Sequence, residues 1–233
     1  MKKYFSTSLD QVTRLVLIRH GQTASNEGGR ILGTEDIPLN DVGIKQAMAL
    51  AERIAGLGVG KIYSSPLSRA RQTAQAMNLQ TRVKIENCPE LIEYDHGIIS
   101  NLTLDELARK DDRLHAEIVS WLEVGSDTNS LSRPAVPAAE SVYALKARAQ
   151  SSINHILPSH PGEVVAAVSH AGFIKALLTV IVGGPVERHL PFGINNASIS
   201  VVDFYKGAPT IRLINDICHL EHEELTYGRP LLL

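Results

Sequence analysis

The sequence is poor in cysteine and in long apolar runs, and each shortage closes a class of structure. Cys88 and Cys218 are the two cysteines among 233 residues, too far apart for paired metal-ligand spacing or a disulfide framework. Both are expected to be small packing residues. No segment is long and apolar enough to span a bilayer. The opening residues MKKYFSTSLDQV place polar side chains where a secretory signal needs an apolar stretch, so a cytoplasmic location is expected. A net charge of -2, with both signs interspersed, leaves no basic stripe for nucleic acid or for an anionic membrane. Internal repeats and low-complexity segments are absent as well.

What is there is an ordinary globular mixture, 44% apolar and 21% charged, over a length that suits one sizeable core. A single domain over 1–233 is expected. Leu15, Val16, Leu17 and Ile18 form a short apolar run ending at Arg19, the mark of a buried parallel strand. From Asp41 to Ala55, the residues Ile44, Ala47, Met48, Ala51, Ile54 and Ala55 recur at helical spacing. Lys61 to Ser64 reads as a second strand, Ser68 as the cap of a helix running to about Met77, and Val83 to Glu86 as a third strand. Between Thr103 and Leu157 the pattern is helical, broken by a loop from Gly125 to Pro137 rich in Ser, Pro, Asp and Asn.

Val164 to Ser169 is again strand-like, and Ala171 to Val182 is an apolar helix ended by Gly183, Gly184 and Pro185. Ser198 to Phe204 and Ile211 to Ile214 flank Lys206, Gly207, Ala208 and Pro209, which predicts a closing hairpin. The alternation predicts an α/β fold: a three-layer α/β/α sandwich with a mostly parallel central sheet. The segment 103–157 is then a helical cap-like insertion over the active-site end, and ligands are expected at the carboxyl ends of the strands.

The residues with chemistry fall at those ends. Arg19 and His20 follow the first strand, and Gly21 lets the backbone turn close to an anion. A neutral imidazole there offers a lone pair for attack, with its second nitrogen fixing the tautomer; a surface-loop histidine is the competing reading. Arg69 follows SSPLS near the start of its helix, where a guanidinium can clamp a phosphate and helix N–H groups add donors. Arg71 reads as a solvated helix arginine. Glu93 in LIEYDHG can act as a general acid, with Asp95 on the other face, although a lone Glu reads equally as a solvated carboxylate. His170 in VSHAG ends a strand and begins a helix. A cysteine nucleophile is excluded, because phosphatases of that kind need an Arg six positions on, where Tyr94 and Glu224 stand.

RHGQT at Arg19 to Thr23, then Asn26, Arg30 and GTEDIPLNDVGIKQA, then YSSPLSRARQTA and VSHAG, closely resemble the histidine phosphatase superfamily, also called the phosphoglycerate mutase-like family. The match runs in order from Leu15 to His170, and four separated motifs are specific where RHG alone is weak. The resemblance implies a histidine acid-type phosphatase, a metal-independent phosphomonoester hydrolase without cofactor, acting on a small phosphorylated metabolite. His20 would be the nucleophile that becomes phosphohistidine, Arg19, Arg69 and His170 would form the phosphate pocket, and Glu93 would donate the proton. Asn26 would donate to a phosphate oxygen, Thr23 belongs to the same phosphate-binding stretch, and Gln22 would lie behind the pocket or touch substrate. Phosphoryl transfer asks for positioning and charge neutralisation, which cationic side chains supply without a metal.

Two other readings accompany this one. A cofactor-dependent phosphoglycerate mutase shares the phosphohistidine, but the segment between Glu93 and His170 lacks the long insertion of those enzymes. Thr23, Ala24, Ser25 and Asn26 also follow the phosphatase version of the loop. A non-catalytic phosphate-recognising module would keep the fold, and the intact catalytic positions argue against it. The sequence departs from the family at Ile98, Ile99, Ser100 and Asn101, which replace an acidic residue, Trp, Glu and Gly beside the proton donor.

Lys110, Arg113, His115 and Arg133 read as surface charge, with binding of a second acidic group on the substrate as the alternative. Gly56, Gly58 and Gly60 precede a strand rather than follow one, so they read as a helix C-terminal turn and not as a dinucleotide loop. His219 and His222 read as part of a solvated tail, without the further ligands a metal needs, while the three final leucines suggest that 219–233 docks. A homodimer through a sheet edge or the closing hairpin is compatible with the sequence.

Overall fold

The inner strands send alternate side chains into two apolar layers, and that alternation sets the architecture. The structure is a computed structural model that describes residues 12–124, 134–185 and 192–220. Its strands are β1 (Val12–Arg19), β2 (Val59–Ser64), β3 (Ile85–Asn87), β4 (Val164–Ser169), β5 (Ile199–Tyr205) and β6 (Ala208–Asp216). The helices are α1 (Ala24–Glu27), α2 (Asp41–Ile54), α3 (Ser68–Thr81), α4 (Leu104–Lys110), α5 (Asp112–Val124), α6 (Val142–Ile156) and α7 (Ala171–Ile181).

The strands form one sheet in the order β3-β2-β4-β1-β5-β6. It is parallel from β3 to β1 and antiparallel where β5 joins β1 and β6 joins β5. On one face Leu15, Leu17, Val165 and Ala167 meet Leu145 and Ala149 of α6 and Phe173 and Leu177 of α7. On the other, Val16, Ile18, Ala166 and Val168 meet Leu50 and Ile54 of α2 and Ala70 and Met77 of α3. The expected α/β/α layering follows. In the segment 103–157, Leu107 of α4 and Leu114 and Ile118 of α5 gather with Ile31 and Ile99 in a third, smaller cluster.

Several local expectations change. Ile44 and Met48 of α2 face outward, 50% and 39% exposed, while Gly43, Ala47, Leu50 and Ile54 face inward. The cause is Gly43: a Cβ there would lie 2.0 Å from Gln22 O, so this edge of the helix must press on the 21–22 backbone, which fixes its rotation. Ser68 is not a cap. Leu67 holds that position without a side-chain bond, and Asp36 accepts from Ser68 N at 2.5 Å and Ser68 Oγ at 2.9 Å. The carboxylate serves the first free N–H of α3 from another segment.

Gly60 lies inside β2 rather than in the preceding turn, where Gly58 takes the left-handed conformation (φ +69°). The closing hairpin turns on Lys206 and Gly207 alone, both at positive φ, with Ala208 and Pro209 already in β6. His219 is in no solvated tail: Cys218–Leu220 forms a short turn of helix, Leu220 is buried, and His219 Nε2 bonds Ala197 O at 3.0 Å. Residues 125–133 of the expected loop, Arg133 and His222 lie outside the described residues. No helix among the described residues is long and apolar enough to cross a membrane.

Candidate active site

Strand register brings three chain segments to one level. Arg19 pairs with Ser169 and Ser64 with Val168, and the ladders continue one step through His20 N to Ser169 O and Ser65 N to Val168 O, both 3.0 Å. His20, Ser65 and His170 therefore emerge together at the carboxyl ends of adjacent parallel strands, where α/β sheets place ligands. The turn after His20 is pinned by α2 and α3. A Cβ on Gly21 would lie 2.5 Å from Gly43 O, Gly21 N donates to Thr73 Oγ1 at 3.1 Å, and Gln22 N donates to Gln46 Oε1 at 2.8 Å.

The two histidines take opposite tautomers. His20 Nδ1 lies 2.6 Å from Gly21 O, and a carbonyl only accepts, so Nδ1 carries the proton and the Nε2 lone pair is open. His170 Nδ1 lies 3.2 Å from Arg69 Nε, which only donates, so its proton sits on Nε2 and goes to Ser65 Oγ at 2.7 Å. Burial, then the charges of Arg69 and Arg19, hold His20 well below its ordinary range; burial and Arg69 do the same for His170.

Arg69 is fully buried. Besides His170, it donates to Glu35 O at 2.6 Å and Gly33 O at 2.8 Å, leaving two of its five N–H groups without a described partner. Arg19 Nη1 donates to Ile194 O at 2.7 Å, while its buried Nε has no partner among the described residues. Burial brings both guanidinium groups down to about 10, with Glu93 acting in the opposite sense, so both stay charged at neutral pH.

Glu93 is buried, and its carboxylate accepts from Tyr94 N at 2.8 Å, Phe173 N at 3.0 Å and Gly172 N at 3.2 Å. Two of these donors are free N–H groups at the start of α7, whose own cap residue, His170, gives no side-chain bond. A Cβ on Gly172 would lie 2.8 Å from Glu93 Oε1, so glycine is what lets the carboxylate approach. Arg148 of α6 holds the segment from the other side, donating to the carbonyls of Glu90 (2.8 Å), Ile92 (2.6 Å) and Glu93 (3.3 Å).

The remaining expected site residues divide. Asn26 Oδ1 accepts from Thr23 N, Thr23 Oγ1 and Asn196 Nδ2, which leaves the Asn26 amide nitrogen without a described partner. Thr23 is fully buried with its hydroxyl engaged in capping α1, and Gln22 Oε1 accepts from Asn40 Nδ2 at 2.9 Å behind the loop. Asp95 closes a turn onto Gly97 N at 2.8 Å, and Arg71 is exposed beside Ser68. Arg113 is exposed against Glu117, Lys110 is exposed, and His115 is partly so. Burial and Glu90 push the Cys88 thiol up to about 12, which removes it as a nucleophile.

Sequence reasoning missed Ser65, Thr73, Arg148, Gly172, Asn196 and Lys175. Ser65, Thr73 and Gly172 lie inside YSSPLSRARQTA and VSHAG and were within reach. Arg148 and Asn196 act on segments distant in the chain and leave no local signal. Lys175 is largely buried, and its ammonium is lowered by that burial and by Arg19, with Glu93 raising it. Together these groups set one basic imidazole nitrogen among fixed cations and a positioned carboxyl, an arrangement able to receive and transfer a phosphoryl group.

The family model described as histidine phosphatase superfamily (branch 1) matches residues 15–217. A probable phosphoglycerate mutase GpmB of Yersinia pestis (strain Pestoides F) is 28% identical over 214 residues, 89% of this chain and 95% of that protein. A putative alpha-ribazole-5'-P phosphatase of Escherichia coli superposes with a TM-score of 0.76 at 25% identity, covering 88% of this chain and 96% of the other. A phosphoserine phosphatase of Entamoeba histolytica, solved with 3-phosphoglyceric acid, gives 0.75 at 27% identity, covering 89% and 99%.

Proposed function

The chain belongs to the histidine phosphatase superfamily, and from that premise we propose that it hydrolyses a small phosphomonoester, without a metal, through a phosphohistidine on His20. The substrate phosphate lies among Arg19, Arg69 and the Nε2–H of His170, which turns from Ser65 to a phosphate oxygen. His20 Nε2 attacks phosphorus as the ester P–O bond breaks, and Glu93 gives its proton to the leaving oxygen. Water then attacks the phosphohistidine, Glu93 takes its proton, and inorganic phosphate leaves. Asn26 Nδ2 adds a donor to the phosphate.

The observation that carries this reading is the His20 tautomer, since the bond to Gly21 O puts the lone pair on Nε2. Two structural neighbours are named for alpha-ribazole-5'-P and phosphoserine, and a phosphomonoester of a small polar molecule is the substrate class proposed here. A mutase is the second reading, favoured by the name of the Yersinia relative. Incubation with 3-phosphoglycerate and a priming amount of 2,3-bisphosphoglycerate, in excess chelator, separates the two: inorganic phosphate marks hydrolysis, and 2-phosphoglycerate marks a mutase. Loss of all turnover in His20→Ala is expected, and turnover that survives this substitution overturns the nucleophile.

A further inference from the structure

Upstream of Glu93, a thiol, a carboxylate and an imidazole converge. Cys88 Sγ lies 3.3 Å from Glu90 Oε2, and the other carboxylate oxygen lies 3.3 Å from Nδ1 of His155, near the end of α6. One ligand atom from each residue can be chosen so that all lie within 4.8 Å of one another. We propose that Cys88, Glu90 and His155 form a site for a single zinc-class divalent cation.

The donor set selects the ion. A thiolate, an imidazole and a carboxylate together suit zinc, whereas calcium and magnesium call for oxygen ligands throughout. The spacing fits as well. Zinc bonds of about 2.0–2.3 Å in a tetrahedron set ligand atoms roughly 3.5 Å apart. The Cys88 Sγ to Glu90 Oε2 and His155 Nδ1 to Glu90 Oε1 separations, both 3.3 Å and one to each carboxylate oxygen, are already close to that value, and the third closes when His155 turns toward Cys88.

His155 has the freedom to make that turn, its side chain being 45% exposed; Glu90, at 29%, opens the site to entry and to a fourth ligand from water. Cys88 is fully buried and supplies the fixed corner. Binding exchanges the thiol proton for the ion, and the proton leaves to solvent. The bound ion ties the 88–93 segment to α6, the helix whose Arg148 already holds the carbonyls of Glu90, Ile92 and Glu93.

The test is titration of the metal-stripped full chain with Co2+, the spectroscopic stand-in for zinc, in a Cys218→Ser background. One equivalent is expected to bind, with a thiolate-to-cobalt charge-transfer band that Zn2+ displaces. His155→Ala is expected to weaken binding at least about tenfold, since even outer groups of a metal site carry that much. Cys88→Ser is expected to abolish the band. Because a buried cysteine can be needed for folding, the half-exposed His155 decides: its alanine variant should melt like the parent in chelator and lose the rise in melting temperature that Zn2+ gives the parent. No charge-transfer band in the parent, or Co2+ affinity unchanged in His155→Ala, overturns the site. The readouts are binding and melting, so they stand apart from the assignment of His20.

Discussion

His20 and His170 stand with ring centroids 5.1 Å apart and carry their protons on opposite ring nitrogens. Gly21 O takes the Nδ1 proton of His20, and the Arg69 guanidinium fills the Nδ1 lone pair of His170. The pair thus offers one nucleophilic nitrogen and one N–H donor, the two things a phosphoryl centre and its oxygens ask for. Both rings are kept neutral by burial and by the guanidinium charges around them.

That neutrality predicts a flat acid side to turnover. With His20 held well below the ordinary imidazole value of 6.5, kcat/KM, divided by the titration of the substrate phosphate, should not fall between pH 7.5 and 6. Arg69→Ala removes a charge that lowers His20 and the bond that orients His170. It should move the acid limb upward and cost on the order of 10²-fold in kcat. A corrected limb centred at pH 6.5 in the wild type would mean that the burial argument is wrong.

The same depression has a stability sign. Unfolded, both imidazoles take up protons near pH 6.5, while the folded state holds them neutral to lower pH, so the unfolded state binds more protons in that window. Stability present above pH 6.5 should therefore be lost as pH falls below it, before ordinary carboxylates titrate. Thermal melts from pH 7.5 to 5 should show a falling midpoint, and the fall should be smaller in a His20→Ala, His170→Ala double variant. Parallel slopes for the two proteins would refute the linkage.

How much of this could be read from the chain depended on the range of each interaction. LVLI announces the centre of β1 because an inner strand covered on both faces is apolar at successive positions there, and the motif histidine then follows at its end. The inward face of α2 keeps the helical period, with Ala47, Ala51 and Ile54 buried as the spacing suggests, but it is rotated so that Ile44 and Met48 face out, since the backbone contact of Gly43 with Gln22, not the larger apolar residues, decides the rotation. Asp36 over α3, Arg148 behind Glu93 and Asn196 beneath His20 were invisible, because each reaches across space to backbone groups that any residue type would present. His219 looked like tail and is half-buried, bonded to the Ala197 carbonyl, for the same reason.

Gly172 sets the position of Glu93, so Gly172→Ala should act as a lesion of that carboxylate. The new Cβ would sit 2.8 Å from Glu93 Oε1 and 3.1 Å from Tyr94 Cβ, and three amide bonds keep the carboxylate from swinging aside freely. We expect a loss of about 10- to 100-fold in kcat with little change in KM, since displacement of a reacting group by an ångström has this scale. Destabilisation of about 1–3 kcal/mol should accompany it. Combined with Glu93→Gln, the substitution should add almost nothing further to the kinetic loss. Full additivity would place Gly172 outside the action of Glu93.

Asp203 tests the fold apart from the site. Its carboxylate, 3% exposed, receives Arg14 at 2.7 and 2.8 Å in a bidentate pair across β1 and β5, and Arg212 at 2.9 Å from β6. Burial alone would push this carboxyl up, yet the arginine hydrogen bonds and charges bring it below its ordinary value. Asp203→Ala takes the bidentate carboxylate away from the Arg14 guanidinium, 4% exposed, and breaking a buried ion pair from one side costs about 3–5 kcal/mol. The melting midpoint should then drop on the order of 10 °C. Arg212→Ala, at a half-exposed position, should cost no more than about 1 kcal/mol. Urea melts of the two variants give the comparison, and equal costs would show that the Arg14 pair is not what the buried charge depends on.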